Sequence, residues 1–214
     1  WGFVSASPLF DDAGAFIGIL VMITDISDRK SAETALQQRD ALLEAVSQCA
    51  QIYLTDINWE DNIELALGFL GMASKIDRVT LFRNRPEPDE SAMVMHGEWC
   101  APGSNEAAVY PPDFSLRASG LERWEEALGR NEAISGSRED FPLAESRRLA
   151  QWGLRSVLVL PVIVTASRWG LIIFANYMEP RHWTLPEIDA LHIAVDVLAH
   201  AIERTPAEEI RERE

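Results

Sequence analysis

Ser156-Val-Leu-Val-Leu-Pro-Val-Ile-Val-Thr165, then Ala166-Ser-Arg168, then Trp169-Gly-Leu-Ile-Ile-Phe-Ala-Asn-Tyr177 form two apolar arms around a short link. β-Branched and aromatic residues dominate both arms, and so short a link joins antiparallel neighbours. The pair is expected at the centre of a sheet. Upstream, Arg78-Val-Thr-Leu-Phe-Arg83 and Ala92-Met-Val-Met-His-Gly-Glu-Trp99 read as two more strands around a Pro/Asp/Glu turn, and Ala133–Ser135 as a short one. Ala101–Ser119, rich in Pro, Gly and Ser, reads as a loop, while Gly120–Gly129 and Phe141–Trp152 read as helices.

Helices are expected at both ends of this sheet. Trp59, Ile63, Ala66, Leu67, Leu70 and Ala73 recur at helical spacing up to Lys75. Downstream, Thr184-Leu-Pro-Glu187 has the form of a capping box with proline at an early helical position. The helix it opens runs to Glu203 with Leu185, Ile188, Leu191, Val195, Leu198 and Ile202 as its buried stripe. Thr205-Pro206 is expected to end it, and the charged Glu208–Glu214 has too few apolar residues to pack alone.

The first residues read as a hairpin, Trp1–Phe10 and Ala15–Ile23 around Asp11-Asp-Ala-Gly14. A lone hairpin is marginal in water, so further strands are expected before it. After the capping side chains of Thr24–Asp28, Arg29–Tyr53 has no Gly or Pro and reads as one long helix. Its stripe of Ala32, Leu36, Leu43, Val46, Ala50 and Tyr53 has near-heptad spacing, interrupted by Arg39 and widened by Leu42 and Cys49. Packing on its own domain and pairing with a second copy are both open to it.

The 214 residues carry 19 Lys+Arg against 34 Asp+Glu, a net charge of −15, which disfavours nucleic acid and anionic membranes as partners. The longest apolar runs, Ala15–Ile23 and Val157–Ala166, fall short of the ~20 residues of a membrane-spanning helix. A cytoplasmic location without direct membrane contact is expected, compatible with a membrane anchor upstream of Trp1. Cys49 and Cys100 form no C-x-x-C pair, so neither a disulfide framework nor a zinc knuckle is written here. With no Gly-rich phosphate loop, nucleophile elbow or zincin helix, this stretch is not expected to be an enzyme.

Pro8-Leu-Phe-Asp-Asp-Ala-Gly14, Gly18 and Asp25-Ile-Ser-Asp-Arg-Lys-Ser-Ala-Glu33 resemble the C-terminal end of PAS domains. Trp169-Gly-Leu171 through Asn176, Arg181-His-Trp-Thr184, Glu187, Ile193-Ala194 and Ala201-Ile-Glu-Arg204 resemble the closing part of GAF domains. The resemblance implies an α+β fold: a GAF-like antiparallel sheet flanked by helices, preceded by a PAS-derived β-hairpin and a long linker helix. It implies the division 1–26 PAS hairpin, 27–50 signalling linker helix, 51–204 GAF domain and 205–214 charged tail. That order is similar to sensor histidine kinases and diguanylate cyclases, in which such a stretch binds a small molecule and relays the signal through dimeric helices to a downstream output. The alternative is a structural dimerisation module with no ligand.

His96, Glu98 and Cys100 alternate along one strand and are expected on one face of it. Trp124 and Trp152 offer aromatic walls, as do Trp99 and Trp169, although burial in a core explains any single tryptophan as well. Ser135, Arg155 and Asn176 are candidate polar anchors, Arg155 suiting a carboxylate or phosphate. The candidate ligand site is therefore His96, Glu98, Cys100, Trp124, Ser135, Trp152, Arg155 and Asn176, with no metal and no named cofactor. Bilin-binding GAF domains carry His after the attachment cysteine, where Ala101 stands, and the N-K-x-x-F-x-x-x-D-E signature of cyclic-nucleotide binders is missing. His192, Asp196 and His200 read as a solvated helix face, and His200 to Thr205-Pro206 is one residue too long for a kinase phosphoacceptor.

Overall fold

The computed structural model describes residues 1–55, 58–85, 92–104 and 113–211, with residues 55 and 205–211 described by their backbone alone. The chain divides into two units, Trp1–Asp40 and Ala41–Glu214.

The first unit is a hairpin leading into a helix. β1 (Gly2–Phe10) pairs antiparallel with β2 (Phe16–Asp25), from Gly2 opposite Asp25 to Phe10 opposite Phe16. Asp11 Oδ1 accepts from the amides of Ala13 and Ala15 at 3.0 and 2.8 Å, and Gly14 takes φ +81°, which closes the turn. Alternation puts Val4, Ala6, Pro8, Ile19, Val21 and Ile23 on one face, and all six are exposed. Asp25 Oδ1 then accepts from the amide of Ser27 at 2.9 Å, where α1 (Ser27–Thr55) begins.

In the second unit a six-stranded sheet has the order β5-β4-β3-β8-β7-β6, every neighbouring pair antiparallel. Its strands are β3 (Arg78–Asn84), β4 (Ala92–Cys100), β5 (Asp113–Ser115), β6 (Ile134–Ser137), β7 (Ser156–Val164) and β8 (Ser167–Asn176). The helices are α2 (Ile63–Ser74), α3 (Glu122–Gly129), α4 (Leu143–Gln151) and α5 (Leu185–Arg211). As the composition of the two arms requires, β7 and β8 are both interior strands and largely buried.

Alternation divides the sheet into two buried faces. Val79, Leu81, Leu158, Leu160, Val162, Ile172 and Phe174 face a core that contains Leu42, Ala45, Cys49 and Tyr53 of α1, Ile63 and Leu67 of α2, and Leu191, Val195 and Leu198 of α5. This is the helix side. Phe82, Val157, Val159, Leu171, Ile173 and Ala175 face a second core with Phe114 of β5, Trp124 and Leu128 of α3, and Leu149 and Trp152 at α4. At Gly170 a Cβ would collide with the carbonyl of Phe82, so only glycine lets β3 and β8 lie together there.

Five details depart from the sequence reading, the first being Leu185, which is exposed at the start of α5 instead of joining its buried stripe. The β7–β8 turn is Thr165-Ala166, both at positive φ, instead of Ala166–Arg168, and the backbone tolerates this because only two residues link the strands. β5 lies inside what reads as loop, too short at three residues to show a period. Trp59–Asn62 is a 3₁₀ turn, with Asn58 accepting from the amide of Glu60 as its cap, rather than the start of α2. Pro206 does not end α5, which runs on to Arg211: Ala207, Glu208 and Glu209 are strong helix formers and offset one lost N–H bond. The Pro/Asp/Glu turn at 86–91, residues 105–112 of the loop and 212–214 of the tail lie outside the described residues. Among the described residues no helix is long and apolar enough to cross a membrane.

Candidate functional site

The eight candidate residues do not converge. Strand alternation would keep His96, Glu98 and Cys100 on one face, but a β-bulge intervenes: Leu81 pairs with Gly97 and Phe82 with Met95, leaving His96 as the extra residue. One extra residue reverses every side chain beyond it. His96 therefore lies on the helix side against Trp59 and Trp169, while Glu98 and Cys100 lie on the opposite side. A bulge leaves no period in the sequence.

Glu98 and Cys100 belong to a polar group at the open end of β3, β4 and β8. The buried Arg78 guanidinium sits 3.5 Å from Glu98 Oε1 and 5.5 Å over the Tyr177 ring, with Cys100 Sγ as another hydrogen-bond partner. Thr80 Oγ1 donates to Glu98 Oε1 at 3.3 Å. Arg78, Thr80 and Tyr177 are residues that sequence reasoning missed. Their signal was present, since Arg78 and Thr80 alternate within an apolar strand on the face that Phe82 continues.

Trp124 and Trp152 are both buried in the second core, packed there with Phe114 and Phe141. Trp124 Nε1 donates to Glu145 Oε2 at 2.7 Å, and Arg123 grips the same carboxylate through two bonds of 2.8 and 2.6 Å. Burial pushes the Glu145 carboxyl up, but the bonds from Arg123 and Trp124 outweigh it and hold the group below the usual carboxylate range. The charge thus pins α3 to α4 across a face that aromatic rings already fill.

Asn176 points to the helix side in register with Ser156, and Ser135 stands opposite Leu158, exposed, on the strand that ends the sheet. Arg155 is exposed before β7. None of the three reaches the polar group around Arg78. A recess of about 220 Å³ opens beside β6, lined by Arg123, Ile134, Ser135, Asp140 and Phe141. It is smaller than the ~300–1,000 Å³ of drug-sized pockets. Its charges are already engaged, Arg123 by Glu145 and Asp140 by the amide and hydroxyl of Ser137 at 2.8 and 2.7 Å. Among the described residues no group of three or more His, Cys, Asp or Glu is placed to hold a metal.

Two long helices meet on the other face. Leu42, Ala45, Cys49 and Tyr53 of α1 share one core with Leu191, Val195, Leu198 and Ile202 of α5, and Arg204 donates to the carbonyl of Tyr53 at 2.8 Å. Burial pushes the Cys49 thiol up to about 12, whereas Cys100 is exposed. At the entry to α5, Glu187 Oε2 accepts from both the amide and the hydroxyl of Thr184 at 2.9 Å, and Arg181 bridges Glu187 to the Ser74 carbonyl that closes α2.

Residues 63–202 match the GAF domain. The chain belongs to the GAF family. A methanogenesis regulatory histidine kinase, FilI, of Methanothrix harundinacea (strain 6Ac) is 31% identical over 214 residues, covering 95% of this chain, so the likeness extends beyond the GAF segment into the N-terminal unit. The chain spans 23% of that relative's length. In fold it is similar to the phycocyanobilin-bound GAF domain of a cyanobacterial phytochrome, with a TM-score of 0.63 at 19% identity over 79% of this chain and 96% of that one. It is also similar to the GAF domain of an Acinetobacter phosphoenolpyruvate-protein phosphotransferase, with a TM-score of 0.56 at 14% identity over 77% and 94%.

Proposed function

We propose that this chain is a non-catalytic sensory and relay segment of a histidine-kinase-type signalling protein. The observation that carries the reading is the shared core of α1 and α5: the helix that enters the GAF domain and the helix that leaves it pack on the same sheet face and are tied by Arg204. A ligand with different affinity for two packings of these helices would shift their balance, which is the physical content of a relay. In this reading α1 is a signalling helix and β1–β2 are the closing strands of a PAS domain, whose apolar faces the rest of that domain would cover. Leu36 and Leu43, exposed on α1, would form the seam of a homodimer. The module would work in the cytoplasm.

The ligand would be small and polar, seated in the recess between α3 and β6, rather than a bilin. Trp124, Trp152, Phe82 and Phe114 occupy the space beside the sheet, and Ala101 follows the exposed Cys100. The same packing favours a second reading, a structural dimerisation module with no ligand. Thermal-shift screening against nucleotides, haem, small acids and metals separates the two. A ligand at one hundred times its Kd stabilises by about 2.7 kcal/mol, and on the relay reading it also alters amide exchange in α1 and α5. A hit that leaves both helices unchanged contradicts the relay, and silence across the library supports the structural reading.

A further inference from the structure

His96 is wedged between two indoles. Its ring centroid lies 5.0 Å from that of Trp59 at 30° and 6.0 Å from that of Trp169 at 81°, and the two indoles stand 5.6 Å apart, edge to face. Trp59 opens the 3₁₀ turn between α1 and α2, and Trp169 belongs to β8, so the imidazole closes a three-ring clasp between that turn and the sheet. It is there only because the bulge at Met95–Gly97 reverses β4 at this point. Bulges recur where a side chain must be re-aimed.

The charges around the ring come from two elements. From the 3₁₀ turn, Glu60 Oε1 lies 3.5 Å from His96 Nε2. From β3, the Arg83 guanidinium lies 5.3 Å over the Trp169 ring. Among the described residues the other neighbours add none: α2 turns Ile63 and Leu67 to the strand at Gly97, β8 presents Trp169, and Glu98 of β4 is on the opposite face.

We propose that His96 is a proton-operated latch: the neutral imidazole holds the 3₁₀ turn to the sheet, and protonation loosens that turn. Glu60 and the indole faces favour the cation, whereas burial and Arg83 oppose it. Burial is the largest influence, and His96 is held below the ordinary imidazole value of 6.5. A base so depressed in the clasped state takes a proton more readily once the clasp opens. The clasp is therefore complete above that ordinary value and is lost as pH falls through the lower value of the clasped state. This device works whether or not the domain binds a ligand.

The test is an NMR titration of the full chain from pH 8 to 5, following the His96 ring and the Trp59 indole N–H. One shared midpoint, lower than that of an exposed histidine, is expected, and His96→Phe should keep the ring stack while flattening the Trp59 titration. A Trp59 signal indifferent to pH, or one that titrates unchanged in His96→Phe, overturns the proposal. Should His96→Phe fail to fold, two charge variants decide. Glu60→Gln must lower the midpoint and Arg83→Gln must raise it, and a midpoint that moves with neither overturns the latch.

Discussion

On the helix side of the sheet, Leu158, Leu160, Ile172 and Phe174 meet helices whose buried residues include Ala45, Ala66, Ala190, Ala194, Ala199 and Ala201. On the other side, Val157, Val159, Leu171 and Ile173 meet Trp124, Trp152, Phe114 and Phe141, and a buried carboxylate bonds α4 to α3. Both sides are buried. Small side chains present a smooth surface over which helices can shift with little repacking, whereas interlocked rings and directional charged bonds resist displacement. The alanine-rich side, tied at Arg204 and Arg181, holds both long helices, and the aromatic side holds α3 and α4 through Glu145.

Gly170→Ala should break both faces together, because the collision with the Phe82 carbonyl lies between central strands and no side chain can yield. A loss of about 4 kcal/mol or more is expected in urea unfolding, and near-native stability would mean that β3 and β8 do not approach as described. Gly71→Ala strikes the helix side alone, since a Cβ there would enter the six-membered ring of Trp99. The expected cost is about 2–3 kcal/mol, with a shift in tryptophan emission as Trp99 is displaced.

Glu145→Ala is the counterpart on the aromatic side and should cost about 2 kcal/mol by leaving the Trp124 indole N–H unpaired. Its pH dependence has a definite sign. A carboxyl held below its usual range in the fold contributes stability that is present above the unfolded value and lost as pH falls through the folded one. The variant should therefore lose part of the acid limb that the parent shows in denaturation followed from pH 7 to 3. A thiol probe compares the faces without perturbing either. At pH 8 Cys100 should react at once, and Cys49 on the order of a hundredfold more slowly, as a buried thiol with a raised pKa does. Equal rates would deny that the helix side is closed.

The fold was legible because its strongest signals are local. The apolar arms at 156–177, the stripe from Leu191 to Ile202 and the turn at Asp11–Gly14 each specify their element by period or turn chemistry. The candidate site was less so. Trp124 and Trp152 were recognisable as large aromatic residues, but which rings fill a core depends on how α3 and α4 lie on the sheet. His96 and Glu98 part company through a bulge, which is set by the pairing of β4 with β3 and is marked in β4 only by Gly97. Asn176 was read as a polar anchor of the ligand site, and its register with Ser156 turns it to the helices, away from Glu98 and Cys100. Periodicity locates elements, while register and packing decide faces.

The most direct test of the shared helical face is amide exchange in Arg204→Gln, the mildest of these changes. Losing the bond to the Tyr53 carbonyl should cost about 1 kcal/mol, and if α1 and α5 open as one unit, exchange at residues 42–53 and at 190–202 should accelerate together by about fivefold. Acceleration confined to the last turns of α5, with α1 unchanged, would contradict the account.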